Sequence, residues 1–312
     1  MNSKRLHTIK SVSEITGLSV FVIRAWENRY KAIEPERTET NRRLYSEEDI
    51  NKLLLLSKAI SAGYSIGNIA NLSIDELNEI TSQENRSGVT GQGREEISHT
   101  PHPEFMDQCL AALQDMDAAK FDSLLLKASV EMSHQALLDK LIVPLIHTVG
   151  EMWKNGTLRI ASEHMFSSSI KIFLANLVRS YRIPENSPKI IVGTPTGQQH
   201  ELGALLAACI AASSGWNVVY LGPDLPVEEI ASAASKLKVK AVILSLVYPE
   251  DDVQLMENLK RLRIMMPKIP LLIGGRAATS YYPVLESINA KVGHSLAEFR
   301  NKLDEIRKPI SN

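Results

Sequence analysis

The feature that most restricts the fold of this chain is a change of rhythm at Pro188. Beyond it, short β-branched runs (189–193, 217–222, 241–247, 271–275 and a weak one at 290–293) alternate with helical stretches near 201–213, 226–237, 251–264, 279–288 and 295–307. The runs are nearly continuous in apolar character, as in Ile190-Ile191-Val192 and Ala241-Val242-Ile243-Leu244. A strand apolar on both faces needs helices above and below it. The alternation therefore predicts an α/β, flavodoxin-like, doubly wound parallel sheet. Ligands in that architecture settle beyond the carboxyl ends of the strands, where the strand order reverses.

Upstream the period is helical. From Glu104 to Tyr181 the apolar residues fall at helix spacing, among them Phe105, Cys109, Leu113, Leu124, Leu125, Ala128, Leu137, Leu138, Leu141 and Leu145. A helical bundle is expected there. Residues 82–103 are polar, glycine-containing and aperiodic, which reads as a flexible linker, and the prolines at 184 and 188 make a second break. The 312 residues thus divide into 1–80, a linker at 81–103, a helical domain at 104–183 and an α/β domain at 187–309. Two cysteines, Cys109 and Cys209, make neither a disulfide framework nor a zinc site. The first residues carry charge with no apolar run behind them, and the most apolar stretch, 202–212, is too short for a bilayer. A cytoplasmic protein with no membrane partner is expected.

A formal net charge of −1 speaks against nucleic acid only if charge is spread evenly. It is not: residues 1–43 carry nine Lys/Arg against five Asp/Glu, a local excess of +4. In the same stretch Ser11-x-x-Glu14 has the form of a capping box opening a helix that stops at Gly17, and Ser19 can cap a second helix to about Tyr30. Two helices about a Thr-Gly-Leu-Ser turn make a helix-turn-helix, with Val20, Phe21 and Arg24 where a recognition helix meets the major groove. Arg42 and Arg43, on an arm after that helix, suit phosphates. The alternative is a generic small helical domain with a solvated charge run. The fuller string, Ile23-Arg24-Ala25-Trp26-Glu27-Asn28-Arg29-Tyr30 followed by Asn41-Arg42-Arg43-Leu44-Tyr45-Ser46-Glu47-Glu48-Asp49, resembles the all-α winged helix-turn-helix of MerR-family regulators over about residues 7–75. The resemblance implies dimeric binding to double-stranded operator DNA. It places Arg42, Arg43 and Tyr45 on the wing and adds Arg29 and Tyr30 to the candidate contacts. Trp26 shares a helix face with Ile23 and Tyr30 and is expected in the core.

The α/β part carries a second set of residues. Gly193, Gly197 and Gly203 fit neither the dinucleotide fingerprint nor a P-loop. His200 lies at the mouth of the sheet, where a histidine is either a polar loop residue or a metal or proton site. Ser245 and Val247 end the third run, and Gly274-Gly275 end the fourth. Small residues at successive strand ends leave a slot for a bulky group. With 41 residues between Gly203 and Ser245, and 26 between Val247 and Gly274, the set resembles the cobalamin-binding signature Asp-x-His-x-x-Gly, Ser-x-Leu, Gly-Gly. The resemblance implies that His200 is the lower axial ligand of cobalt and that Ser245, Gly274 and Gly275 line the slot for the nucleotide tail. Gln198 stands where that signature has the acid that accepts a hydrogen bond from the ligand histidine; a Gln carbonyl can accept the bond without supplying charge.

Trp153, nine residues and Glu163-His164 resemble the motif of the four-helix caps in CarH/LitR-type photoreceptor repressors. By that resemblance the three residues surround the adenosyl group of adenosylcobalamin, or meet another cobalamin. Lys154 replaces the histidine that captures cobalt after photolysis in light-sensing members, and a lysine ammonium offers no lone pair near neutral pH. The function so implied is a transcriptional repressor whose homo-oligomerisation, as dimer or tetramer, and operator binding answer to cobalamin and to light. A MerR-type regulator working without cobalamin, through another ligand or an antagonist protein, is the alternative; a corrinoid carrier of a methyltransferase system is a third. No nucleophile–base pair or paired carboxylates appear, so no catalytic residue is assigned and no enzyme is expected.

Overall fold

A computed structural model describes residues 6–38, 41–61, 64, 66–83 and 102–307. The chain separates into two compact units, 1–169 and 170–312.

The first unit opens with strand β1 (Leu6–Thr8) and helices α1 (Ile9–Thr16) and α2 (Val20–Tyr30). Strands β2 (Glu36–Arg37) and β3 (Arg43–Ser46) follow, then helices α3 (Glu47–Ser61), α4 (Ile66–Ile69) and α5 (Ile74–Gln83). Helix α1 starts ahead of the expected capping box: Thr8, not Ser11, is its N-cap, its hydroxyl accepting the Ser11 N–H at 3.4 Å. Gly17 ends the helix at φ +72°, a left-handed conformation that glycine adopts without steric cost. Ser19 caps α2 by accepting the Val22 N–H at 3.2 Å. The expected all-α character needs correction, because β1, β3 and β2 form an antiparallel sheet in that order. Strands of two to four residues are too short for an alternating pattern to show in sequence. Val12, Ile23, Trp26, Tyr45, Leu53, Leu56 and Leu77 form the core of this part.

Helices α6 (His102–Gln114), α7 (Ala118–Glu131), α8 (His134–Leu137), a π-helical turn (Leu138–Ile142), α9 (Val143–Lys154) and α10 (Ile160–Ser180) complete the helical region. Phe121 and Phe166 meet edge to face at 5.8 Å between ring centroids, joining α7 to α10. Helices α5 and α6 occupy the margins of the expected linker, and residues 84–101 lie outside the described residues. The unit boundary falls inside α10, so its second half is grouped with the sheet.

His134, at the start of α8, is held by burial at a pKa of about 4, down from 6.5. Between those values the unfolded chain takes up a proton that the folded chain refuses, so stability falls as pH drops through 6.5 and levels off below about 4. From pH 7 to pH 5 the expected loss is about 2 kcal/mol. Urea midpoints at the two pH values measure it, and His134→Gln should flatten the difference; an equal slope in that variant would assign the effect elsewhere.

The second unit holds strands β4 (Lys189–Pro195), β5 (Asn217–Leu225), β6 (Ala241–Ser245), β7 (Leu271–Gly274) and β8 (Lys291–Val292). Between and after them come helices α11 (Leu202–Ser213), α12 (Val227–Leu237), α13 (Val253–Met265), α14 (Tyr282–Ser287) and α15 (Leu296–Arg307). All neighbouring strands are parallel, in the order β5-β4-β6-β7-β8. This is the expected doubly wound sheet. The chain leaves β4 for β5 on one side and returns to β6 on the other, so the order reverses between β4 and β6. Ile190, Ile191, Val192, Val242, Ile243, Leu244, Leu271 and Leu272 are fully buried, as strands covered on both faces must be. Among the described residues no helix is long and apolar enough to cross a membrane.

Candidate functional site

The carboxyl ends of β4 and β6 hold the residues singled out from the sequence. After β4 the chain turns at Gly197, where φ is +89°, and enters α11 through Gln198, Gln199, His200 and Glu201. Neighbouring strand ends brace this turn. Thr196 N–H donates to Leu225 O (2.8 Å), Gly197 N–H to Asp224 Oδ1 (2.8 Å) and Asp224 N–H to Thr194 Oγ1 (2.9 Å), while the Thr194 hydroxyl donates to Gln198 O. His200 is left exposed at the end of the turn, and its imidazole makes no hydrogen bond among the described residues.

Gln198, two residues earlier, is fully buried. Its Oε1 accepts the N–H groups of Val247 (2.7 Å) and Tyr248 (3.1 Å), tying the β4 turn to the segment after β6. The carbonyl expected to face His200 is therefore already engaged, by backbone 49 and 50 residues downstream. Among the described residues its Nε2 is buried without a partner, and so is Ser245 Oγ at the end of β6. Unsatisfied buried polar atoms cost about 1–3 kcal/mol each and commonly mark a place where another polar group belongs. Gly203 makes room there, since a Cβ at that position would lie 2.6 Å from Ser245 Oγ. Gly275 holds the other side: a Cβ would stand 2.1 Å from Leu246 O. Val247 is half-buried and Gly274 buried beside them. Gly203, the Ser245 hydroxyl and the exposed His200 imidazole lie at the strand-order reversal, with Gly275 after the neighbouring strand β7, and the imidazole is an available metal-ligand nitrogen.

Glu201, the residue after His200, is one that sequence reasoning missed. Its carboxylate accepts the Tyr220 hydroxyl at 2.6 Å and pairs with Lys171. Burial first, then the bond to Glu201, raises the Tyr220 pKa above the usual phenol range. Neither partner is close in sequence, so no spacing pattern announces the cluster.

In the helical region, Trp153 lies in the last turn of α9 and is 54% exposed. Glu163 and His164 lie near the start of α10, with His164 Nδ1 3.5 Å from Glu163 Oε2 and the Ser167 hydroxyl donating to Glu163. Lys154 is exposed.

The N-terminal site residues fall into two groups. Phe21 is 56% exposed at the start of α2, Arg24 and Arg42 are also exposed, and Val20 is half-buried. These side chains are free to meet a groove or phosphates. The others are engaged internally. Tyr45 is fully buried and its hydroxyl donates to Glu27 Oε2 (3.3 Å), so its side chain is withdrawn from the DNA contact expected of it. Arg43 Nε donates to both Glu27 oxygens (2.7 and 2.8 Å), raising the guanidinium pKa. Trp26 is in the core as expected, but its indole N–H also reaches 104 residues along the chain to the Val130 carbonyl at 2.8 Å. That carbonyl lies in the last turn of α7, where backbone acceptors lack intrahelical partners. The Tyr30 hydroxyl donates to Glu131 Oε1 (2.8 Å), and Arg29 lies 3.9 Å from the same oxygen. Burial and the Glu131 bond push Tyr30 up to about 12. The recognition helix is thereby docked on α7 through Trp26, Arg29 and Tyr30.

Residues 7–77 match the family described as MerR HTH family regulatory protein, and residues 106–177 and 188–295 match two families each described as B12 binding domain. The HTH-type transcriptional repressor CarH of Myxococcus xanthus is 30% identical over 292 residues, covering 93% of this chain and 95% of that protein. The chain belongs to the CarH family of MerR-type, B12-binding regulators. The HTH-type transcriptional repressor CarA of the same organism is 24% identical over 304 residues and covers 96% of each chain. In fold, this CarH-type chain is similar to the Methanosarcina barkeri monomethylamine corrinoid protein, with a TM-score of 0.54 at 17% identity over 66% of this chain and 99% of that one. The helix-turn-helix head is the DNA-binding module of the regulator, and the α/β unit carries its B12-binding domain.

Proposed function

We infer that this CarH-type chain is a transcriptional repressor that binds double-stranded operator DNA as a homo-oligomer under the control of cobalamin. Adenosylcobalamin is the form taken up, and light is the signal that ends repression. The observation that carries the reading is the pairing, at one strand-order reversal, of an exposed uncommitted His200 with the orphaned Ser245 hydroxyl, on a chain that also bears a MerR head. In this reading His200 holds the cobalt. Ser245, Gly203, Gly274 and Gly275 receive the nucleotide tail, and Trp153, Glu163 and His164 meet the adenosyl group. Bound adenosylcobalamin would supply a cobalt–carbon bond that light can cleave.

Among the described residues, Glu27 neutralises Arg43 and Glu131 approaches Arg29, which reduces the positive charge that the head of a single chain brings to DNA. Assembly compensates: joining several weak heads on one operator raises avidity by about 10²–10⁴ without a new base contact. The test uses gel filtration, absorption spectra and operator binding of the full chain with adenosylcobalamin, in the dark and after illumination. A larger species that binds operator in the dark and dissociates in light supports the whole reading. Uptake without a light response removes light alone. No uptake turns the reading to a regulator that works without the vitamin.

A further inference from the structure

The orientation of the Gln198 amide decides what this residue can offer His200, two residues along the chain. A side-chain carbonyl has two lone pairs, and both on Gln198 Oε1 are used by the N–H groups of Val247 and Tyr248. Those donors also decide which way the amide is turned, since the reverse arrangement would set NH₂ against two N–H groups. The remaining arm, Nε2, is a donor only; it is buried and has no partner among the described residues.

A histidine that gives its Nε2 lone pair to a metal carries its proton on Nδ1, and that N–H needs an acceptor. Two residues before His200, Gln198 offers a second donor instead. Its carbonyl can serve His200 only by releasing Val247 and Tyr248. A carboxylate at the same position would keep both backbone bonds on one oxygen and present the other as an acceptor.

On the reading of His200 as cobalt ligand, we propose that Gln198 is a specificity-determining positioning residue that makes His200 a weak, exchangeable ligand, so that this chain takes up cobalamin with partial histidine ligation. Replacing Gln198 by a carboxylate converts the position into a firm histidine-on site. The occupied carbonyl and the donor-only Nε2 act on the equilibrium between histidine and water as cobalt ligands, and on nothing in the DNA-binding head.

The experiment titrates aquocobalamin into the full chain, wild type and Gln198→Glu, each with and without His200→Ala. Bound cobalamin is then reduced to the Co(II) state, and its EPR spectrum is read on protein labelled with ¹⁵N-histidine. That label separates the protein imidazole from the benzimidazole of cobalamin. The expected result is binding at least about tenfold tighter in Gln198→Glu, with strong ¹⁵N coupling that is weak or absent in the wild type. The gain should vanish when His200→Ala is added. Full ¹⁵N coupling in the wild type, or no tightening in Gln198→Glu while His200→Ala still weakens the wild type, overturns the proposal alone. Indifference to His200→Ala in both backgrounds, or no uptake by either, overturns the reading of His200 together with it. Should the buried carboxylate of Gln198→Glu melt the chain below the assay temperature, Gln198→Asp provides the same comparison.

Discussion

Gly275→Ala is expected to lower the stability of the α/β unit by about 3–5 kcal/mol, combining a forbidden backbone conformation with a backbone clash. Gly275 has φ +98° and ψ 160°, a region that essentially only glycine occupies. A Cβ there would lie 2.1 Å from Leu246 O and 2.8 Å from Leu246 N and C. Relief by rotating a side chain is impossible, because every atom in the way is backbone. Leu246 in turn is pinned: its N–H donates to Gly274 O at 2.8 Å and its carbonyl accepts the Ala277 N–H at 3.0 Å. Moving it would break the junction of β6 and β7 where the slot is formed. A loss of this size is a large share of a domain's total stability of about 5–15 kcal/mol. It should lower the thermal midpoint by roughly 10–20 °C. Far-UV circular dichroism of the full chain during heating measures it. A wild-type melt in Gly275→Ala would show that β6 and β7 can separate at little cost.

His200→Ala should do the opposite, leaving the melt unchanged and weakening cobalamin binding. His200 is exposed and makes no hydrogen bond among the described residues, so its truncation leaves neither a cavity nor an orphaned partner. The imidazole is also the group in the β4 turn best placed to give cobalt a lone pair. Its loss is expected to weaken aquocobalamin binding by about threefold in the wild type, where histidine ligation is partial, and by at least about thirtyfold in the Gln198→Glu background. Absorption titration gives the affinity, and the same samples give the melt. Unchanged affinity would leave His200 as a polar loop residue. A lowered melt would make it structural.

The two substitutions separate what the sequence displays from what it hides. His200, Gly203, Ser245 and Gly274-Gly275 were legible because each closes a strand or opens a helix, and strand ends can be counted along the chain. The five strands were legible because apolar β-branched runs on both faces leave a continuous signal. The wing was not, since strands of two to four residues are shorter than the window needed to see an alternation. Arg43 and Tyr45 look like a basic and aromatic contact pair in the string Arg42-Arg43-Leu44-Tyr45. Both are held by Glu27, 16 and 18 residues away, and that carboxylate carries no mark of its role.

By itself, the sequence determined the order of the modules, the parallel sheet, the small residues at its strand ends and the position of the one histidine in the β4 turn. These follow from local patterns: periodicity, apolar runs and spacing between strand ends. Only the tertiary structure decided which groups are free. It buried Tyr45, tied Arg43 to Glu27 and docked Trp26 and Tyr30 on Val130 and Glu131. It also turned the Gln198 carbonyl toward Val247 and Tyr248, leaving a donor behind. The physical reason is common to all of these: each hydrogen bond has directional valence, and its partner comes from a distant part of the chain. Whether a polar group remains available to a ligand depends on that partner.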